Sequence, residues 1–171
     1  LTAKLASYYG IDEQQILVTR GSSEAIDVLI RGFCTAYRDG IVITPPSFDM
    51  YRLYAGIQGA DVRRAPLLRE QNFALDPAKV LESIDETTKI VFICSPNNPT
   101  GNSLARADVE AICRATAGRA LVVIDEAYHE FASVPDFVEL RNRYEHVVLL
   151  RTLSKFVSLA GVRCGLLIAD P

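Results

Sequence analysis

The sequence predicts an α/β fold: a three-layer α/β/α sandwich with a mostly parallel sheet, built as one domain over residues 1–171. Three observations predict it. Short runs rich in Val and Ile recur, each continuously apolar, as a strand covered on both faces must be. Between them lie stretches with apolar residues three and four apart, the spacing of an amphipathic helix. The two kinds alternate, as they do where crossovers join parallel strands.

The strand candidates are residues 16–18, 41–43, 90–93, 121–124, 147–150 and 165–168, with a weaker one at 61–64. The clearest helix runs over 22–37, where Ile26, Leu29, Ile30 and Phe33 share a face. Val109, Ile112 and Cys113 repeat the pattern over 106–117, and helices also fit at 2–9, 48–56, 77–84 and 136–143. In such a sheet the ligand crevice lies at the carboxyl ends of the strands.

Composition removes several function classes. The chain carries 18 Lys and Arg against 21 Asp and Glu, a net charge of −3, with no basic excess to hold nucleic acid or an anionic membrane surface. No apolar run approaches the roughly 20 residues that span a bilayer. The only methionine is Met50, so the sequence does not open on an initiator. No charged segment leads into an apolar core as a signal peptide does. Cys34, Cys94, Cys113 and Cys164 form no Cys-x-x-Cys pair, and His129 and His146 have no metal-ligand spacing, so no metal site is expected. Reduced thiols and a cytoplasmic location are the expectation.

Four strand ends carry polar residues that strand propensity does not explain. After the first strand, Thr19-Arg20-Gly21-Ser22-Ser23-Glu24 opens a helix. Small residues there bare backbone N–H groups to an anion such as phosphate, although a plain N-cap reads the same way. After residues 90–93, Ser95-Pro96-Asn97-Asn98-Pro99-Thr100-Gly101 is a stiff loop that fixes a side-chain amide. After 121–124, Asp125-Glu126-Ala127-Tyr128 offers carboxylates to a cation, a metal or a ring nitrogen. After 147–150 comes Arg151-Thr152-Leu153-Ser154-Lys155, with Arg163 beyond it. A desolvated lysine becomes a Schiff-base nucleophile, and an arginine grips phosphate as a planar fork. No Gly-x-x-x-x-Gly-Lys-Ser/Thr, Gly-x-Gly-x-x-Gly or Gly-x-Ser-x-Gly motif is present, which disfavours nucleotide hydrolases, dinucleotide enzymes and α/β-hydrolases. An acid, a phenol, an amide, a lysine and an arginine around an anion cradle are the parts that hold pyridoxal phosphate.

Across essentially the whole chain these motifs, with Glu130-Phe131 and Leu159-Ala160-Gly161-Val162-Arg163-Cys164-Gly165, resemble the aspartate-aminotransferase-like, fold type I pyridoxal-phosphate enzymes. Within that family they resemble the histidinol-phosphate aminotransferase branch. The resemblance implies that Lys155 bonds the cofactor aldehyde and then carries the substrate's α-proton. It makes Asp125 the partner of the ring nitrogen, and Asn98 and Tyr128 the partners of the ring oxygen. Ser22, Ser23, Thr152, Ser154 and Arg163 fall at the phosphate. Phe48 stands where the family often has a ring-stacking tyrosine, so any polar contact of that hydroxyl is missing. The implied reaction moves an amino group between histidinol phosphate and 2-oxoglutarate in L-histidine biosynthesis, on a homodimer. An aromatic aminotransferase, an amino-acid-phosphate decarboxylase and a non-catalytic cofactor-binding fragment share these motifs. The resemblance also implies that this chain is the large, cofactor-binding domain, without the family's N-terminal arm and C-terminal small domain.

Overall fold

Side-chain alternation along the strands builds two cores, one on each face of a single sheet. The computed structural model describes residues 1–171. Its strands are β1 (Ile16–Thr19), β2 (Gly40–Ile43), β3 (Asp61–Arg64), β4 (Thr88–Cys94), β5 (Leu121–Asp125), β6 (Val147–Thr152) and β7 (Gly165–Ile168). The helices are α1 (Thr2–Tyr9), α2 (Ser22–Phe33), α3 (Met50–Gln58), α4 (Pro77–Glu82), α5 (Arg106–Thr116) and α6 (Val138–Arg143). The strand order is β1-β7-β6-β5-β4-β2-β3. Only β7 runs against its neighbours, antiparallel to both β1 and β6.

Ile90, Phe92, Val123, Val148, Leu150 and Leu167 face one core, with Ile26, Leu29 and Ile30 of α2 and Tyr51 and Ala55 of α3. Their neighbours Val91, Ile93, Val122, Ile124, Leu149 and Leu166 face the other, with Leu5 of α1, Val80 of α4, Ile112 of α5 and Leu140 of α6. Thus α2 and α3 cover one face and α1, α4, α5 and α6 the other, the three expected layers. The accessible surface is 8372 Å², against roughly 8,300 Å² expected of a folded chain of this mass.

Several boundaries differ from the sequence expectation. The second helix ends at Phe33 rather than 37, where Cys34 turns extended and the Asp39 carboxylate accepts the Thr35 N–H. Tyr37 then takes a left-handed φ of 61°. The third helix starts at Met50 and passes through Gly56, stopping at Gly59 with a φ of 77°. The first glycine is therefore an interior residue and the second is the cap. The sixth starts at Val138, with Asp136 before it accepting the Val138 N–H.

The antiparallel β7 shapes the site end of the sheet. Gly165 pairs with Thr19 on one side and Thr152 on the other. A Cβ on Gly165 would lie 2.4 Å from the Ser22 nitrogen, so only glycine lets the start of α2 settle on the strand.

Candidate active site

The same alternation sorts the residues at the carboxyl edge. Asp125 follows Ile124, so it falls on the α2 and α3 face, and Glu126 on the opposite one. Arg151 and Thr152 divide in the same way. Asp125 and Glu126 are both buried, yet their surroundings are unlike.

On the α3 face, Asp125 Oδ2 accepts the Tyr51 hydroxyl at 2.7 Å and Oδ1 accepts the Ala127 N–H at 3.0 Å. Both donors are neutral. Burial raises the Asp125 pKa, outweighing the Tyr51 and Ala127 hydrogen bonds and the Lys155 charge. On the other face, Glu126 Oε2 takes the Arg151 Nη2 at 2.8 Å and Nε at 3.0 Å, and Oε1 accepts the Phe137 N–H. Arg151 Nη2 also reaches Asp136 at 2.7 Å, and its guanidinium lies 4.7 Å from the centroid of the Tyr9 ring. Burial works against the Arg151 charge, but the two carboxylates prevail and hold its pKa above the ordinary value. Burial likewise lifts the Tyr9 phenol to about 12.

Asp125, Lys155, Tyr128, Asn98, Phe48 and Ser22 meet around one cavity of about 50 Å³, with Cys94 and Ala127 completing its wall. Lys155 Nζ lies 5.2 Å from the centroid of the Tyr128 ring. A larger cleft of about 480 Å³ adjoins it and shares Asn98 and Tyr128. The two adjacent asparagines divide the work. Asn97 is buried and donates through Nδ2 to the Pro46 carbonyl at 2.8 Å, tying down the loop, which leaves Asn98 at the cavity.

The remaining expected residues, Ser23, Thr152, Ser154 and Arg163, do not line this cavity; Arg163 packs on Gly21, next to Ser22, and Thr152 pairs with Gly165, on which the start of α2 rests. Ser23 follows Ser22 in the first turn of α2, whose N-terminus has no side-chain cap. Thr152 Oγ1 accepts the Ser154 N–H at 3.1 Å and donates to the Cys164 carbonyl at 3.3 Å. Arg163 Nη2 reaches the Arg20 carbonyl at 3.4 Å. It sits so close to Gly21, whose φ is 83°, that a Cβ there would meet it at 2.5 Å.

Sequence reasoning missed Tyr51, Cys94 and the Arg151–Glu126 pair. Tyr51 lies three residues after Phe48, a helical spacing that brings both side chains to one place, and that spacing was the available signal. Cys94, read as an apolar strand residue, is one and also lines the cavity.

This arrangement fits a phosphate-bearing pyridine. The uncapped start of α2, the Arg163 guanidinium beside it and the buried Ser154 Oγ, which has no hydrogen-bond partner, are groups that would suit an anion. The buried Asp125, supported only by neutral donors, suits a ring N–H cation. Lys155 brings an amine to the same cavity.

All of residues 1–171 match the family model described as aminotransferase class I and II. The chain belongs to the class I and II aminotransferases. Enzymes of this family depend on pyridoxal phosphate. Curated members similar to this chain include the histidinol-phosphate aminotransferases of Xanthomonas campestris, 46% identical over 99% of the chain, and Francisella philomiragia, 43% identical over 99%. The chain spans about half the length of these relatives, 48% and 47% respectively. Among solved structures, the histidinol-phosphate aminotransferase of Clostridium acetobutylicum superposes with a TM-score of 0.87 at 27% identity, over 98% of this chain and 49% of that one. An aspartate aminotransferase variant of Thermus thermophilus gives 0.87 at 24% identity over 99% of this chain and 45% of its own, which shows the shared fold. The expected fold type I architecture of this aminotransferase chain is thereby found. No helix is long and apolar enough to cross a membrane.

Proposed function

We propose that the full-length protein is a pyridoxal-phosphate-dependent aminotransferase that moves an amino group between histidinol phosphate and 2-oxoglutarate in L-histidine biosynthesis. It works as a cytoplasmic homodimer, of which residues 1–171 form the large domain. One observation carries the reading. A buried carboxylate with neutral support and a lysine meet in one cavity, beside an anion site at the start of α2. The names of the similar curated proteins support the donor.

When bound, the cofactor supplies an aldehyde carbon that takes up an amino group and a ring that draws electrons from the substrate's α-carbon. The protein does the rest. Ser22 and Ser23 backbone N–H groups, Thr152, Ser154 and Arg163 bind the phosphate. Asp125 would hold a proton on the ring nitrogen; a charge pair at about 3 Å in an effective dielectric near 20 attracts by roughly 5 kcal/mol before desolvation. Asn98 and Tyr128 would bind the ring oxygen, and Phe48, which lines the same cavity, would pack on the ring and exclude water. Lys155 Nζ would anchor the cofactor and, once free, would take up and give back the proton of the substrate's α-carbon, a general acid–base role. Tyr128, 5.2 Å from that amine by its ring centroid, bounds the space in which the amine moves.

Adding pyridoxal phosphate, reducing with borohydride and mapping the adduct tests the anchor. A pyridoxyl group on Lys155 is expected, and Lys155→Ala abolishes both adduct and turnover in the full-length protein. Normal turnover by that variant would sink the reading. Comparing histidinol phosphate with phosphorylated threonine and with aromatic amino acids as substrates tests the donor.

A further inference from the structure

Tyr51 is the largest side chain that is fully buried. A phenol there is costly unless its hydroxyl is satisfied, and phenylalanine would fill the same space without that demand. Its hydroxyl donates to Asp125 Oδ2 at 2.7 Å, across 74 residues of sequence. The ring cannot turn away. It stacks on Phe92 of β4 with centroids 4.7 Å apart and planes at 10°, and meets Phe48 edge-on at 5.8 Å. One residue thus braces both the aromatic ring that lines the cavity and the carboxylate beside it.

The groups facing Asp125 come from three elements: Tyr51 from α3, Cys94 from β4 and Lys155 from the segment after β6. Glu126 and Arg151 lie on the opposite face and satisfy one another. Burial, the Asp125 charge and Cys94 drive the Tyr51 hydroxyl far above its ordinary pKa, so it is a donor at any working pH. Cys94 is pushed up as well, by burial first and by Asp125 second, and stays a neutral thiol. Of these groups, Tyr51 is the one that gives Asp125 a side-chain hydrogen bond.

We infer that Tyr51 is a positioning residue: its hydroxyl holds the Asp125 carboxylate charged and fixed at the cavity, ready for the ring nitrogen of the cofactor. The inference rests on the cofactor reading above and adds a residue to it. Remove the hydroxyl and the carboxylate loses one of its two hydrogen bonds, so a shared proton moves from the ring nitrogen toward Asp125. A ring nitrogen without its proton withdraws fewer electrons, and the lysine–cofactor linkage then keeps its own proton to higher pH.

The test compares wild type, Tyr51→Phe, Asp125→Asn and the double variant in the full-length protein. The readouts are the pH midpoint of the visible absorption band, the cofactor Kd from titration of the apo form, and Tm. Tyr51→Phe is expected to raise the midpoint by about one pH unit, a tenfold change in proton affinity. It should also weaken cofactor binding about tenfold, as loss of a hydrogen bond to a charged group does. In the Asp125→Asn background the same change should leave the midpoint where it is. An unmoved midpoint in Tyr51→Phe, even with a weaker Kd, assigns Tyr51 to packing alone and overturns the inference. So does a shift that persists without the Asp125 carboxylate. If wild type shows neither the band nor the Lys155 adduct, the cofactor reading itself falls and takes the inference with it.

Discussion

Asp125 and Glu126 are neighbours in sequence, both buried, and on opposite faces of one strand end. Glu126 meets a guanidinium and a backbone N–H, so although burial raises its pKa as it does that of Asp125, its charge is paired within the protein. Asp125 is hydrogen-bonded by a phenol and a backbone N–H alone, and the Lys155 charge acts on it without forming an ion pair. The difference teaches how to tell a structural carboxylate from a functional one. A buried acid with an internal cation holds the fold together, whereas one with neutral support waits for a cation from outside.

Breaking the structural side should cost most. Arg151→Ala strands Glu126 as a buried, unpaired charge, and about 3–5 kcal/mol of stability should go. For a chain of this size that lowers Tm by roughly 10 °C or more, measurable by thermal denaturation. Changing both partners, with Arg151→Met and Glu126→Gln, should recover part of the loss; a double variant no better than Arg151→Ala would break the comparison from this side.

Asp125→Asn should do the reverse. Cofactor affinity should fall by roughly 10- to 100-fold, the range for a lost hydrogen bond to a charged group. The apo form should gain from it. Because burial raises the Asp125 pKa on folding, its contribution to stability is full below the ordinary carboxylate pKa and is lost as pH rises through the raised one. The Tm advantage of the variant over wild type should therefore grow between acid and neutral pH. A gap that shrinks instead would mean that Asp125 is satisfied in the apo protein.

Gly165→Ala is a smaller perturbation that touches the anion end alone. Its methyl group would press on Gly21 and Ser22, costing about 1–3 kcal/mol as overpacking does. Titration should show weaker phosphate-dependent cofactor binding, with the visible band still assigned to Lys155. The smallest effect belongs to Asp136, which is half-buried. Burial alone would raise its pKa, but the Arg151 hydrogen bond and charge lower it below 3.8. That contribution is present above the unfolded pKa and fades as pH falls through the folded one. Asp136→Asn should thus flatten the acid side of the stability profile, as read by Tm below about pH 4.

Much of the fold was legible because its cause is local. A run such as Ile90-Val91-Phe92-Ile93 reads as a doubly covered strand whatever surrounds it, and β7 announced itself in the same way. Its reversed direction did not, since direction is set by how far the chain travels before returning. Gly56 was misread as a helix stop because one glycine looks like another until Gly59 takes up the left-handed turn. At the site, residues beside strand ends stood out by their chemistry. Tyr51 did not: it looks like any buried aromatic, and its role depends on a partner 74 residues away. Arg151 was hidden for the same reason, since its carboxylates sit 25 and 15 residues off.

Thr152 and Gly165 are paired across the β6–β7 ladder, and everything from Lys155 to Arg163 between them is solvent-exposed. A loop tip of this kind is where a protease enters first. Trypsin cleaves after lysine and arginine, so Lys155 and Arg163 are its natural targets here. A cut between β6 and β7 leaves both strands zipped into the sheet. A pyridoxyl group on the Lys155 amine makes that side chain too bulky for the protease's narrow lysine pocket. Limited digestion of this segment thus becomes a footprint: loss of the cut after Lys155, read against the cut after Arg163 that remains, reports what fraction of the molecules carries the adduct.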